Sequence, residues 1–148
     1  MKPADTRRMG TEPNLAWSVK RLKREHDALA LKAAMAQHSP EPWAAPFVFE
    51  HDGYRFERLV SDLEMAQEGL SQRHCVASYT RAAKQGDYIV LRITGKERAT
   101  FGFGLNRCDE LKGFANSEVT KDCRAAAKEA KRACIAQVVT QHKDRGAA

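Results

Sequence analysis

The 148-residue chain has no apolar run approaching the ~18 residues that a membrane-spanning helix requires, so a membrane protein is not expected. Its opening residues, MKPADTRRMGTEPN, lack the apolar stretch of a secretory leader. A cytoplasmic setting is therefore expected, with thiols reduced and no disulfide partner for any cysteine. The four cysteines, at positions 75, 108, 123 and 134, include no Cys-x-x-Cys pair. Cys123 and Cys134 are three helical turns apart, too far to share one ion. No metal site and no cofactor are expected. There is no GxxxxGK[ST] loop and no GxGxxG at a strand–helix junction, which argues against a phosphate-loop NTPase or a dinucleotide-binding fold. Internal repeats and low-complexity tracts are also missing.

What remains is enough for one globular domain with a helical appendage. Hydrophobic residues make up 43% and charged residues 30%, and ~150 residues bury roughly 70% of their unfolded surface. The net charge of +6 is unevenly placed. Residues 1–38 carry eight basic against four acidic side chains, and residues 117–148 seven against four, whereas residues 39–63 are net acidic. Both basic ends read as helices. A basic excess suits polyanions, either nucleic acid or an acidic protein surface. It also suits a solvated face that only maintains solubility.

Residues 1–13 read as a flexible basic arm. From Asn14, a plausible cap, Leu15, Val19, Leu22, His26, Leu29 and Ala33 follow the 4, 3, 4, 3, 4 spacing of one helical face. Lys20, Arg21, Lys23 and Arg24 lie off it. The helix should stop near His38, before Pro40, Pro42 and Pro46, so that residues 14–46 form a helix and a Pro-rich connector. Burial is expected for Leu22, Leu29, Val60, Leu63, Ile89, Leu91, Ile93 and Val138, with His26 half-buried against a neighbour.

The α+β body spans 47–148. Asp52-Gly53 between two β-rich runs signals a hairpin. A helical stretch over 61–85 follows, broken at Gly69. Residues 87–94 (DYIVLRIT), 98–105 (RATFGFGL) and 110–115 read as strands of an antiparallel meander. The last helix should run from Asn116 to about His142, capped by Asn116 or Ser117. Its apolar stripe is Val119, Cys123, Ala126, Ala127, Ala130, Cys134 and Val138, and a second stripe holds Lys121, Arg124, Lys128 and Lys131. Phe101 and Phe103, with Arg98 and Arg107 near the strand ends, have the pattern of a base-stacking sheet. The same alternation suits a core face beneath a helix, and that is the expectation here.

The segment 68–79, EGLSQRHCVASY, collects a carboxylate, an imidazole, a thiol, a hydroxyl and a phenol. A helix starting after Gly69 and capped by Ser71 would put His74 and Cys75 at its positive end. There the dipole and Arg73 would favour a thiolate. Adjacent residues point about 100° apart on a helix, so a direct Cys–His dyad would need distortion. A core-facing structural turn explains the same residues.

This run, with the later GDYIVLRI, ATFGF and KGFAN, resembles the PcfJ-like proteins of conjugative plasmids and phages. The resemblance rests on Glu68-Gly69, His74-Cys75-Val76-x-x-Tyr79, Gly86, Arg92, Thr100, and Gly113-x-x-Asn116, over residues 54–117. An upstream Trp17 and His26-Asp27 resemble a Trp…His-Asp element of longer members. The resemblance implies a mobile-element setting and a polar site, without an established reaction. His74, Cys75, Tyr79, Arg92, Thr100 and Asn116 are the candidate catalytic residues. Lys20, Arg21, Lys23, Arg24, Lys121, Arg124, Lys128 and Lys131 are the candidate contacts to nucleic acid or a partner.

The expected fold is α+β, a small antiparallel meander packed against two or three helices with a long C-terminal helix. The expected function is that of an accessory protein of a mobile element, acting by binding nucleic acid or a nucleoprotein complex. Two alternatives stand beside it: an inhibitor or adaptor aimed at a host defence complex, and a thiol-dependent enzyme built on the His74–Cys75 block.

Overall fold

A computed structural model describes residues 15–104 and 107–147. The expected arm and the Asn14 cap lie outside these residues. The chain divides into two compact units, 1–37 and 38–148. The first contains α1 (Leu15–Gln37). Its periodicity was that of a helix with one buried face. However, Val19, Leu22 and Leu29 are exposed at 54, 65 and 67%, and His26 is exposed too, against expectation. Spacing specifies a helix and its stripe but supplies nothing to cover the stripe.

The second unit is one five-stranded sheet in the order β1-β2-β3-β4-β5, all antiparallel. The strands are β1 (Val48–His51), β2 (Tyr54–Arg58), β3 (Tyr88–Gly95), β4 (Ala99–Gly104) and β5 (Arg107–Gly113). Asp52 and Gly53 close the first hairpin with φ of 53° and 83°, the two positive values that a tight primed turn needs. Between β2 and β3 come α2 (Asp62–Gln72), a 3-10 turn (Val76–Tyr79) and the short α3 (Thr80–Lys84). A second 3-10 turn (Phe114–Asn116) leads to α4 (Lys121–Ala147).

Strand alternation sorts the sheet into two faces. Tyr54, Phe56, Leu91, Ile93, Ala99, Phe101, Phe103 and Leu111 form one core with Cys123, Ala126, Ala127, Ala130 and Cys134 of α4. Small residues along this seam let the helix approach the sheet closely. Phe101 and Phe103 are each 3% exposed beneath α4, so the base-stacking alternative is excluded. Leu59, Met65, Val76, Ala83, Tyr88 and Val90 form a second core on the other face. Trp43 of the connector packs there, and its backbone N–H donates to Val60 O at 2.7 Å. Leu91 and Ile93 are fully buried as expected, whereas Val60, Leu63, Ile89 and Val138 are only half-buried. Leu91→Ala should destabilise the fold by ~2–5 kcal/mol in urea denaturation, because the site is closed on every side. A loss within error of zero would place Leu91 outside the core.

Two helix boundaries differ from expectation. Gly69 does not break α2; the helix runs through it to Gln72 and ends where Arg73 adopts φ 52°, with the Arg73 N–H donating to Gly69 O. Ser71 caps nothing, and its hydroxyl donates to Gln67 O at 2.6 Å. The start of α2 is held instead by Ser61, whose Oγ accepts from the Glu64 N–H, while Glu64 Oε1 accepts from the Val60 N–H. Likewise α4 begins at Lys121 rather than Asn116. Thr120 caps it, with Oγ1 accepting from the Cys123 N–H at 3.1 Å and its own hydroxyl held by Glu97 at 2.6 Å. Asn116 instead takes a left-handed conformation, φ 63°.

Candidate functional site

The register of β3, β4 and β5 builds the site. Arg92 pairs with Thr100, and Thr100 with Lys112; Val90 pairs with Gly102, and Gly102 with Glu110. These residues therefore share the sheet face opposite α4. Gly102 is required there, because a Cβ would overlap the Tyr88 ring and hydroxyl. The Tyr88 ring is stacked in turn on Tyr79, with centroids 4.8 Å apart. The turn after α2 carries His74 and Cys75 over this surface.

A buried carboxylate anchors the arrangement. Glu68 is 1% exposed. Arg98 grips it with both Nη atoms, at 2.6 and 2.8 Å, and Arg92 Nε donates to Oε1 at 3.3 Å. Thr100 Oγ1 donates to Oε2 at 2.5 Å. His74 Nδ1 accepts from the Val76 N–H at 3.3 Å, so Nε2 carries the ring proton and donates it to Thr100 Oγ1 at 2.9 Å. The chain of donors therefore runs one way, His74 to Thr100 to Glu68, and two guanidinium groups neutralise its end. Both ring nitrogens of His74 are occupied.

Above this network lies a shallow cleft of about 40 Å³, open to solvent. Its lining includes His74, Cys75, Tyr79, Thr100, Glu110 and Asn116. The Tyr79 hydroxyl donates to Glu110 Oε2 at 2.8 Å. Five of the six expected catalytic residues thus border one cleft. The sixth, Arg92, does not line it but reaches the same network through Glu68. Cys75 is exposed and follows the C-terminal end of α2. The helix expected to start after Gly69 and be capped by Ser71 is not there; Cys75 instead caps the four-residue 3-10 turn Val76–Tyr79, which runs directly into the five-residue α3.

Glu68 and Arg98 were not among the expected site residues. Glu68 did carry a signal: with Met65 and Gln72 it follows the 3, 4 spacing of the buried face of α2. A carboxylate on an apolar stripe demands cationic partners. Which cations answer depends on register, which spacing along the chain does not reveal. Among the described residues, no group of three or more His, Cys, Asp or Glu side chains is arranged to hold a metal ion.

Burial is the largest influence on His74 and holds its imidazole below the usual histidine range, despite the opposing charges of Glu68 and Glu110; Arg98 adds to the depression. In the unfolded chain the ring takes up a proton as pH falls through about 6.5, while in the folded protein it resists. The contribution of neutral His74 to stability is therefore complete above about pH 6.5 and is lost as pH falls toward the folded-state value. Between pH 7.5 and 5.5, the wild type should lose more stability than His74→Gln; equal losses would contradict this.

The thiols divide by environment. Cys75 and Cys108 are exposed, and Cys123 and Cys134 are buried. Burial pushes the latter pair up to about 11, so neither offers a thiolate near neutrality. A colorimetric disulfide reagent should titrate two thiols in the native protein and four after unfolding. Rapid native reaction of a third would mean that the α4 seam opens.

The candidate binding residues are dispersed. Lys20, Arg21, Lys23 and Arg24 are exposed on α1, where Arg21 pairs with Glu25 at 3.5 Å. Lys121, Arg124 and Lys128 are exposed on α4. Lys131 departs from its expected role: its ammonium bridges both Asp109 oxygens at 3.0 Å and lies over the Phe103 ring.

The chain matches no curated protein and no solved structure. The family model described as PcfJ-like protein matches residues 5–127. That span takes in α1 as well as the stretch 54–117 that carries the motifs. No helix among the described residues is long and apolar enough to cross a membrane. With most of its length matched, this chain belongs to the PcfJ-like protein family.

Proposed function

We propose that the protein is a nucleic-acid-binding accessory factor of a mobile genetic element, gripping phosphates through the outer face of α4. One observation carries this reading. At about 100° per residue, Lys121, Lys128 and Arg132 lie roughly opposite the buried Cys123–Ala130–Cys134 seam, with Arg124 on the near flank. All four are exposed. Lys121 and Lys128 have no ion-pair partner among the described residues. Arg124 meets the exposed Glu118 at 3.6 Å and Arg132 the half-buried Glu129 at 3.1 Å. Such pairs contribute little and exchange readily for phosphate. The mobile-element setting follows from the resemblance to plasmid and phage proteins.

With the sheet aromatics buried, contact through phosphates leaves little room for base reading. Binding should be weakly sequence-dependent and strongly salt-dependent. Four contacts give a log–log slope of roughly −3.6 on duplex DNA. Fluorescence anisotropy between 50 and 200 mM salt measures it, and a flat response would remove the reading.

The cleft supports a second reading, a thiol-dependent enzyme, because residues distant in sequence gather around Cys75. Two features weigh against it. His74 is committed through both nitrogens, and Cys75 caps only a four-residue 3-10 turn and the five-residue α3 behind it, whose dipole is short. An activity eliminated by Cys75→Ser would reverse this ranking.

A further inference from the structure

Tyr54, Phe56 and Arg58 alternate onto the α4 face of the sheet. The first two are core residues, 4% and 0% exposed. The third puts a permanent cation at the end of that row. Burial is the largest influence on Arg58 and works against its charged form, and the influence opposing it is the Cys134 thiol. That thiol is itself held protonated by burial, up to about 11, and supplies no anion near neutrality.

The guanidinium has no hydrogen-bond or ion-pair partner among the described side chains. Its Nε is buried with no acceptor. An unsatisfied buried donor costs about 1–3 kcal/mol, more when charged, and calls for an explanation. Arg58 lines a pocket of about 450 Å³, formed where the connector, the end of α3 and the later turns of α4 meet. Trp43, Lys84, Gly86 and Gln141 line it too. The nearby carboxylate, Asp62, is already engaged by Lys84 at 3.8 Å and by Trp43 Nε1 at 3.3 Å. None of the lining residues belongs to the His74 cleft.

We propose that this pocket binds an oxyanion, the carboxylate or phosphate group of a small ligand, with Arg58 as its principal contact. A guanidinium presents a planar fork that matches either group with two parallel hydrogen bonds. Lys84, paired with Asp62, lines the same pocket, and the Gln141 amide offers a neutral donor. A hydrophobic residue would complete the core row at lower cost, so the arginine is explained by what it binds.

The test is an NMR titration of the full chain with sodium phosphate and, separately, sodium acetate, each against sodium chloride at matched ionic strength. The expected result is a saturable shift of the Arg58 Hε, Gly86 and Gln141 resonances with one of the two anions, and the anion that saturates identifies the group recognised. Arg58→Gln should weaken it at least tenfold. Arg58→Met should remove it without lowering the melting temperature, because an unpaired donor has been replaced by an apolar chain. If neither anion exceeds the chloride control, or if Arg58→Gln binds as well as the wild type, the proposal is overturned. Should Arg58→Gln fail to fold, Arg58→Lys decides instead: it keeps the charge but loses the fork, and unchanged affinity would overturn the assignment.

Discussion

Replacing Glu68 with alanine should destabilise the protein by about 3 kcal/mol, among the largest effects of any single polar substitution in the chain. The carboxylate is 1% exposed and accepts from Arg92, Arg98 and Thr100. Its removal leaves two guanidinium groups facing each other with no anion between them, and leaves the Thr100 hydroxyl without its acceptor. Removing one partner of a buried pair costs ~3–5 kcal/mol. The lower end applies because Arg92 and Arg98 are 26% and 35% exposed and can turn toward water. The effect should extend to the cleft: with Thr100 no longer held by Glu68, His74 loses the anchored acceptor of its Nε2–H, and the α2 turn should loosen. Urea denaturation of Glu68→Ala, Arg98→Ala and the double variant measures the pair. A coupling energy within error of zero would mean that Glu68 acts alone and that the network is not a strut for the turn.

Reversing four charges on α4 should abolish nucleic-acid binding and leave the fold intact. The set is Lys121, Arg124, Lys128 and Arg132, each to glutamate. Lys131 is left out, because its bridge to Asp109 ties α4 to β5, and losing it would confound binding with stability. Exposed substitutions of this kind typically change stability by less than ~0.5 kcal/mol each. Removing four phosphate contacts and adding four repulsive charges should lower affinity by roughly 10²–10³-fold near physiological salt and flatten the salt dependence. Circular dichroism checks the fold and anisotropy reads the affinity. Cys75→Ser should bind as the wild type does. Unchanged affinity in the charge-reversed protein would move the interface away from α4.

Much of the body was legible in one dimension. The hairpin at Asp52-Gly53, the alternation in YIVLRIT and the small-residue stripe of α4 are local patterns with a single geometric solution. Each matches the structure within a residue or two. The errors fall where local signals compete. Gly69 reads as a helix breaker, but Ser61 and Glu64 hold the start of α2 firmly enough to carry the helix through it, and Arg73 takes the left-handed position instead. Ser117 reads as a cap for α4, but Thr120 is selected because Glu97, from the β3–β4 turn, reaches it. The stripe of α1 reads as buried, yet Leu22 and Leu29 are exposed, since periodicity describes a face and not its partner.

For the site the division is sharper. The sequence alone determined which side chains alternate to which face of each strand, that α4 has one apolar seam and one basic flank, and that a His-Cys-Val-x-x-Tyr block with a later Gly-x-x-Asn resembles the PcfJ-like proteins. Those properties follow from helical and strand periods and from residue identity. Only the tertiary structure decided that Arg92, Thr100 and Lys112 stand side by side, that Arg98 closes on Glu68, that His74 is held at both nitrogens, and that Lys131 is tied to Asp109. Each of these depends on strand register or on contact between elements far apart in the chain. A shift of one residue in register would turn Thr100 to the opposite face. The energy that selects the register comes from burying two apolar layers at once, one under α4 and one under α2 and α3, and no segment of the chain holds that information by itself.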